Sequence, residues 1–110
     1  MEPVEINAGV GYLRALRADD RVDDRPALAE LGETAAGYVA QRTAQWDSDT
    51  AYSWAVCEPA TDELLAEIVL DPTEATVRCR VRSGQTDAAA AAEASVRRFA
   101  DAVLGIALNP

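Results

Sequence analysis

The sequence contains no histidine and no lysine, so all ten of its basic residues are arginines. Histidine supplies the base of a Ser-His-Asp triad and is a common zinc ligand, while lysine forms Schiff bases and binds phosphates in the Walker A loop. The composition therefore excludes a Ser-His-Asp triad, a histidine-ligated zinc site, a Schiff-base lysine and a Walker A site. We expect no metal site.

Positive charge of any kind is scarce. Ten arginines stand against nineteen aspartates and glutamates, which gives a formal net charge of −9 and an isoelectric point near 4.3. Nucleic acids and anionic lipids are bound through basic surfaces. We therefore expect no nucleic-acid partner and no membrane partner. The acidity serves either solubility or the steering of a basic partner.

Long hydrophobic runs are also absent. No run approaches the ~18 apolar residues of a membrane span. Residues 1–5 are acidic, unlike the basic start of a secretory leader. These features predict a cytoplasmic protein. Cys57 and Cys79 are too few for a disulfide framework, and we expect both to be free thiols in the core.

The length and composition fit one globular domain, residues 1–110. Of the 110 residues, 49% are hydrophobic and 26% are charged, which is enough to form one core without disulfides. Only 5% are aromatic, so Val, Leu, Ile and Ala must supply most of the core. We interpret Trp46 and Trp54 as core residues, with a ligand-stacking role as the alternative.

The pattern of apolar and turn residues predicts an α+β fold with a mostly antiparallel sheet and helices packed on its faces, in the order β-α-α-β-β-β-α-β. The first strand is expected at 11–17. A short helix at 27–31 follows, which Gly32 ends. A second helix is predicted from an N-cap at Thr34 to about Trp46.

The middle of the chain predicts a meander of three strands, at 52–57, 64–70 and 76–82. Each is bounded by turns rich in Asp, Pro and Thr. This order would place Cys57 and Cys79 on strands separated by a third strand, about 9.6 Å apart and beyond the reach of a disulfide.

A long helix is predicted at 87–104, capped by Thr86 and ended by Gly105, with a last short strand at 106–108. The expected apolar stripe of this helix consists of Ala92, Val96, Phe99 and Val103.

Three segments resemble motifs of one enzyme family. Residues 12–20, YLRALRADD, are similar to an opening strand of the form LRPLRxxD. Residues 53–68, SWAVCEPATDELLAEI, are similar to a hairpin of the form xWAVxDxxTGELxGxI, and residues 93–99 to a helix of the form TEAxRxLxxxAF. By these motifs the chain resembles a GCN5-related N-acetyltransferase (GNAT) of the ribosomal-protein-alanine N-acetyltransferase type. The resemblance implies a partial GNAT-like fold.

The loop that binds acetyl-CoA in this family is degenerate here. The family holds the cofactor's pyrophosphate with an RGxGxA motif at the start of the long helix. Its arginine falls on Thr86, its first glycine on Asp87 and its second on Ala89. Thr86 therefore removes a cation, and Asp87 adds a carboxylate. Ala89 adds a methyl group at a position where the backbone must approach the phosphate closely. The degenerate loop comprises Gly84, Gln85, Thr86, Asp87, Ala88 and Ala89. We expect it not to bind CoA.

The resemblance also implies missing elements. Family members continue after the last predicted strand with a further helix and two strands, which usually carry the hydroxyl that protonates the departing thiolate. Their absence from this sequence would leave a strand edge exposed, with Ile106 and Leu108 on it. We therefore expect a homodimer, or a protein partner, bound through the C-terminal strand and helix.

Two groups of residues remain as candidates for chemistry. Glu67 and Glu74 are candidate general bases, because the family often uses a glutamate or a water for that task. Glu67 also fits a solvated strand residue. The basic face of the strand at 76–82 could bind an anion or could protect an edge strand from aggregation. Its residues are Arg78, Arg80 and Arg82.

These observations favour a GNAT-like protein that is not catalytic and acts as a binding, assembly or regulatory module without a cofactor. The alternative is an active acyl-CoA-dependent N-acetyltransferase that uses acetyl-CoA and is completed by dimerisation. An unrelated α+β module, such as an immunity or regulatory protein, is a third possibility.

Overall fold

A single antiparallel sheet of five strands forms the centre of the computed structural model, which describes residues 1–9 and 11–110. The strands lie in the sheet in their order along the chain, and every neighbouring pair is antiparallel. They are β1 (Ile6–Asn7), β2 (Tyr12–Arg14), β3 (Tyr52–Cys57), β4 (Leu64–Asp71) and β5 (Thr76–Val81). The predicted α+β class with an antiparallel meander is therefore confirmed.

Helices cover both faces of this sheet. They are α1 (Arg25–Glu30), α2 (Tyr38–Ser48) and α3 (Thr86–Phe99), the last continued by a π-helical turn (Ala100–Leu104). The larger core packs α3 against alternate residues of the strands, such as Trp54 and Ile68. The smaller core packs Leu28 of α1 and Tyr38 of α2 against the opposite face. None of the helices in the described residues is long and apolar enough to span a membrane.

The first half of the chain departs from the prediction at three points. The strand expected at 11–17 is only Tyr12–Arg14, and the sequence pattern missed β1, which pairs with it. The helix expected at 27–31 spans Arg25–Glu30. The second helix begins at Tyr38 rather than after Thr34, and its N-cap is Gly37.

The predicted last strand at 106–108 is wrong. This segment is not part of the sheet; it folds back along the surface, where the Asn109 N–H donates to the Ala75 carbonyl in the turn between β4 and β5. Ile106 and Leu108 are half-buried against the larger core of their own chain. They therefore do not form the exposed strand edge that was expected.

The long helix is predicted well except at its two ends. Its N-cap is Gln85 rather than Thr86, and Gly105 ends the helical segment with a φ of +65°. Val103 was expected on the apolar stripe but is 57% exposed. The i→i+5 hydrogen bonding of a π turn adds a residue to the turn, which rotates Val103 away from the stripe.

The tryptophans and cysteines lie where the sequence places them. Trp46 and Trp54 are buried edge to face, with ring centroids 5.2 Å apart, so the core interpretation is confirmed. Cys57 and Cys79 are free thiols on β3 and β5, with β4 between them, as predicted. Burial raises the pKa of Cys57 to about 12 and that of Cys79 to about 11, so both stay protonated at neutral pH.

Candidate functional site

Glu67, the first candidate general base, is buried in the middle of β4. Only 2% of the residue is exposed. In the sheet it lies between Ala55 of β3 and Arg80 of β5. Its interpretation as a solvated strand residue is therefore wrong. The face of the sheet that carries Glu67 is covered by α2, which brings Tyr38 onto the carboxylate.

Both oxygens of the Glu67 carboxylate accept hydrogen bonds from neighbouring side chains. Its Oε1 accepts hydrogen bonds from Arg80 Nε at 2.9 Å and Arg80 Nη2 at 2.7 Å. Its Oε2 accepts a hydrogen bond from the Tyr38 hydroxyl. Arg80 Nη2 also forms a second ion pair, 3.3 Å from Glu33 Oε1. A carboxylate held in this way has few lone pairs left to accept a substrate proton.

Tyr38 is the centre of this group. Arg42 Nε donates to the Tyr38 hydroxyl at 2.9 Å. The guanidinium groups of Arg42 and Arg80 lie 4.9 and 5.6 Å from the centroid of the Tyr38 ring, within the range of cation–π attraction. Burial, together with the hydrogen bond to Glu67, raises the pKa of Tyr38. We name Glu33, Tyr38, Arg42, Glu67 and Arg80 the Glu67 cluster.

An open cavity of about 230 Å³ lies over the Glu67 cluster. Its lining consists of the cluster together with Val69 and Arg78. Arg78 lies on β5 and is exposed. The cavity therefore brings together two of the predicted anion ligands, Arg78 and Arg80, and one of the predicted bases, Glu67. Arg42 was not predicted as a site residue, although its i, i+4 spacing from Tyr38 was a usable signal.

The remaining sequence candidates lie elsewhere. Glu74 is exposed in the turn between β4 and β5 and does not line the Glu67 cavity. Arg82 forms ion pairs with Glu30 and Glu63. Of the three arginines predicted as one basic face, Arg80 and Arg82 are thus each paired with two glutamates, whereas Arg78 forms no ion pair with any described residue.

The predicted degenerate loop begins α3. Gly84 adopts a φ of +81°, and Gln85 is the N-cap. Asp87 lies in the first helical turn, where its charge suits the helix dipole. Ala89 is only 5% exposed and packs into the larger core. A cleft of about 400 Å³ beside the loop contains the carboxylates of Glu30 and Glu63 and a single arginine, Arg82.

A second buried ionic group was missed by the sequence analysis. Arg14 on β2 makes a two-pronged ion pair with Asp24, at 2.8 and 2.9 Å. Its Nε also donates to Asp62 at 2.9 Å, and Tyr12 donates its hydroxyl to the same carboxylate. Arg14 and Asp24 are 5% and 3% exposed. This group ties β2 to the start of α1 and to the connection between β3 and β4.

Comparison with known proteins finds a similarity of fold. No family model matches the chain, and no curated protein does. A Vibrio cholerae protein, proposed to be a ribosomal-protein-serine acetyltransferase, superposes with a TM-score of 0.76 at 15% identity over 96% of this chain and 71% of its own. An acetyltransferase from Agrobacterium tumefaciens superposes with a TM-score of 0.64 at 19% identity over 94% and 70% of the two chains.

These neighbours establish the fold. The chain has a partial GNAT-like fold, as the sequence motifs predicted. At 15% and 19% identity the likeness concerns the arrangement of the strands and helices. A shared fold does not fix a shared activity, which has to be argued from the site itself.

The residues at the start of α3 do not fit the pyrophosphate of acetyl-CoA. An anion at a helix N-terminus needs backbone that can approach it closely and a positive surrounding. Here Asp87 places a carboxylate in the first turn, and Ala89 is packed into the core with its methyl group. Glu30 and Glu63 add negative charge to the adjacent cleft. A pyrophosphate at the start of α3 would thus meet the carboxylate of Asp87, and the one arginine of the adjacent cleft, Arg82, is already paired with Glu30 and Glu63.

Proposed function

We propose that this chain is an acetyltransferase-fold protein that binds a partner or ligand without transferring an acetyl group. The proposal is carried by the start of α3, which the sequence resemblance aligns with the cofactor loop, and where Asp87 lies in the first turn and Ala89 is buried. The engagement of the Glu67 carboxylate by Arg80 and Tyr38 adds support, because three of its acceptor sites are already used and few remain for a substrate proton.

Acetyl-CoA itself tests this proposal. We expect the melting temperature to stay unchanged when about 1 mM acetyl-CoA is added. For comparison, a ligand present at about 100 times its Kd stabilises a protein by about 2.7 kcal/mol, which raises the melting temperature of a domain of this size by roughly 10 °C or more. The Vibrio cholerae neighbour, melted under the same conditions, serves as a control. A saturable stabilisation of this chain would contradict the proposal.

A working N-acetyltransferase, completed by dimerisation, is the second candidate function. It is favoured by one observation, the burial of the Glu67 carboxylate at an open cavity. Buried carboxylates in clefts are frequent general acids and bases. Under this alternative Glu67 rather than Glu74 would be the base, since Glu74 lies outside the cavity. Saturable acetyl-CoA binding in the melting experiment would favour it.

We also propose association through the C-terminal helical segment, as a homodimer or with another protein chain. Val103 is 57% exposed on the π turn that ends this segment, and its apolar side chain is available for contact with another chain. Sedimentation at micromolar concentration should show a species larger than 11.7 kDa. The variant Val103→Asp should shift it to the monomer, whereas Ala102→Asp changes the adjacent exposed residue and serves as the control. A monomer at all concentrations would contradict the homodimer.

A further inference from the structure

Two arginines that pair with no carboxylate among the described residues line the Glu67 cavity. Acidic residues outnumber arginines nineteen to ten in this chain. Within the described residues, ion pairs are formed by Arg14, Arg17, Arg25, Arg80, Arg82 and Arg97. Arg42 and Arg78 form none there, yet both face the same cavity. Unpaired guanidinium groups at one cavity in so acidic a protein are available to an anion from outside.

The hydrogen bonds in the cavity leave donors unused. Arg42 donates a hydrogen bond from Nε to the Tyr38 hydroxyl and another from Nη1 to Gln45 Oε1. These two bonds fix the position of the guanidinium group and leave the donors of Nη2 unused. Arg78 makes no side-chain hydrogen bond to any other described residue. A guanidinium group carries five N–H donors, so the two arginines together retain most of theirs. The orientation of Arg42 by Tyr38 lowers the entropic cost of binding.

The charge of the cavity selects the class of anion. Three arginines and two glutamates line it, for a net charge of +1. A single negative charge would balance this, whereas a doubly charged phosphate would lie near Glu33 and Glu67 without compensation. The planar guanidinium fork also matches the geometry of a carboxylate.

We infer that the Glu67 cavity binds a singly charged carboxylate group, held by the guanidinium groups of Arg42 and Arg78. The inference rests on the proposed function, which makes binding rather than acetyl transfer the task of the domain. The carboxylate could belong to a small organic acid or to the C-terminus of a peptide. The chemistry of recognition is the same for both sources.

Nuclear magnetic resonance of the arginine Nε–Hε groups tests the inference. Sodium acetate is titrated into the full chain at neutral pH and constant ionic strength, with sodium chloride as the balancing salt. We expect saturable shifts of the Arg42 and Arg78 signals in the millimolar range. The variant Arg42→Gln/Arg78→Gln should bind acetate at least tenfold more weakly. Arg98→Gln, which also removes an arginine without an ion pair among the described residues, should bind it as the unmodified chain does.

Two further ligands identify whether the carboxylate belongs to a peptide C-terminus or to a small organic acid. N-acetyl-trialanine with a free carboxylate is compared with its C-terminal amide. Binding of the acid at least tenfold tighter than acetate, with no binding of the amide, identifies a peptide C-terminus. Equal binding of the peptide acid and acetate identifies a small organic acid. Both results support the carboxylate site.

Three results would overturn the inference. They are shifts that do not saturate, equal acetate affinity in the double variant, and tighter binding of inorganic phosphate than of acetate. If Arg42→Gln prevents folding, Arg78→Gln alone decides, because Arg78 is exposed and makes no ion pair in the described part of the chain. Acetate binding accompanied by acetyl-CoA stabilisation would refute the proposed function and leave the carboxylate site standing.

Discussion

Replacement of Arg14 by methionine is expected to lower the free energy of unfolding by about 3–5 kcal/mol, the usual effect of removing one member of a buried ion pair. Methionine fills a similar volume but leaves Asp24 with a buried negative charge and no cation beside it. Asp62 loses a hydrogen bond at the same time. Urea unfolding followed by tryptophan fluorescence measures the change, because both tryptophans are buried.

A matched control comes from the same stretch of chain. Arg17 is 40% exposed and pairs with Asp19, which is 46% exposed. Arg17→Met should therefore cost less than about 1 kcal/mol, as is typical of surface ion pairs. The double variant Arg14→Met/Asp24→Asn should be more stable than Arg14→Met alone, because the asparagine carries no charge and can still accept the Arg17 N–H. Equal costs for Arg14→Met and Arg17→Met would contradict the role of burial.

The ion pair between Arg14 and Asp62 predicts part of the loss of stability at low pH. Burial alone would raise the pKa of Asp62, but the hydrogen bonds from Tyr12 and Arg14 outweigh it and lower the pKa. Stability that comes from a lowered pKa is complete above the unfolded-state pKa and is lost as the pH falls through the folded-state pKa. Below about pH 4, near the unfolded-state value for Asp, the unmodified chain should lose stability more steeply than Arg14→Met.

The sequence predicts the meander and the long helix well, because local signals define them. Turns with Asp, Pro and Thr bound β3, β4 and β5, and the predicted bounds agree with the structure within one residue. Apolar and polar residues also alternate along the strands, and this alternation determines which face of the sheet each side chain occupies. Gly105 ends the helical segment where its left-handed φ is needed.

The missed features depend on contacts between distant parts of the chain. Alternation along β4 correctly separates Glu67 from Ile68, but a strand pattern does not reveal whether a helix covers the second face. The burial of Glu67 depends on Tyr38, which is 29 positions away. Arg14 and Asp62 are 48 positions apart. One signal was available: the register of a short hairpin places Arg80 directly opposite Glu67.

The candidate loop could be located from the sequence, but its geometry could not. The resemblance placed the loop at 84–89, where α3 begins. The pattern did not predict that Ala89 would pack into the core while Asp87 stays exposed. It also did not predict the glutamates of the neighbouring cleft, because Glu30 lies more than fifty positions before Asp87 in the chain. The electrostatic argument about pyrophosphate therefore depends on the structure.

Glu67→Gln is expected to lower the free energy of unfolding by about 2–3 kcal/mol, near the upper end for hydrogen bonds to a charged group. The variant keeps the shape of the side chain but removes the negative charge that Arg80 and Tyr38 contact. The cost stays below that of Arg14→Met, because Arg80 is 35% exposed and can regain water. Urea unfolding measures this change too.

Glu63→Gln is the matched control for this site. Glu63 pairs with Arg82, but its side chain is 57% exposed, so the same substitution should cost less than about 1 kcal/mol. The pKa of Tyr38 supplies a second measurement, which a general loss of stability would not change. Burial, the larger cause of the raised pKa, persists in Glu67→Gln, but the contribution of the carboxylate is removed. Carbon resonances of the tyrosine ring should therefore titrate at lower pH in Glu67→Gln and at an unchanged pH in Glu63→Gln. An unchanged Tyr38 pKa in Glu67→Gln would show that the carboxylate does not control the tyrosine.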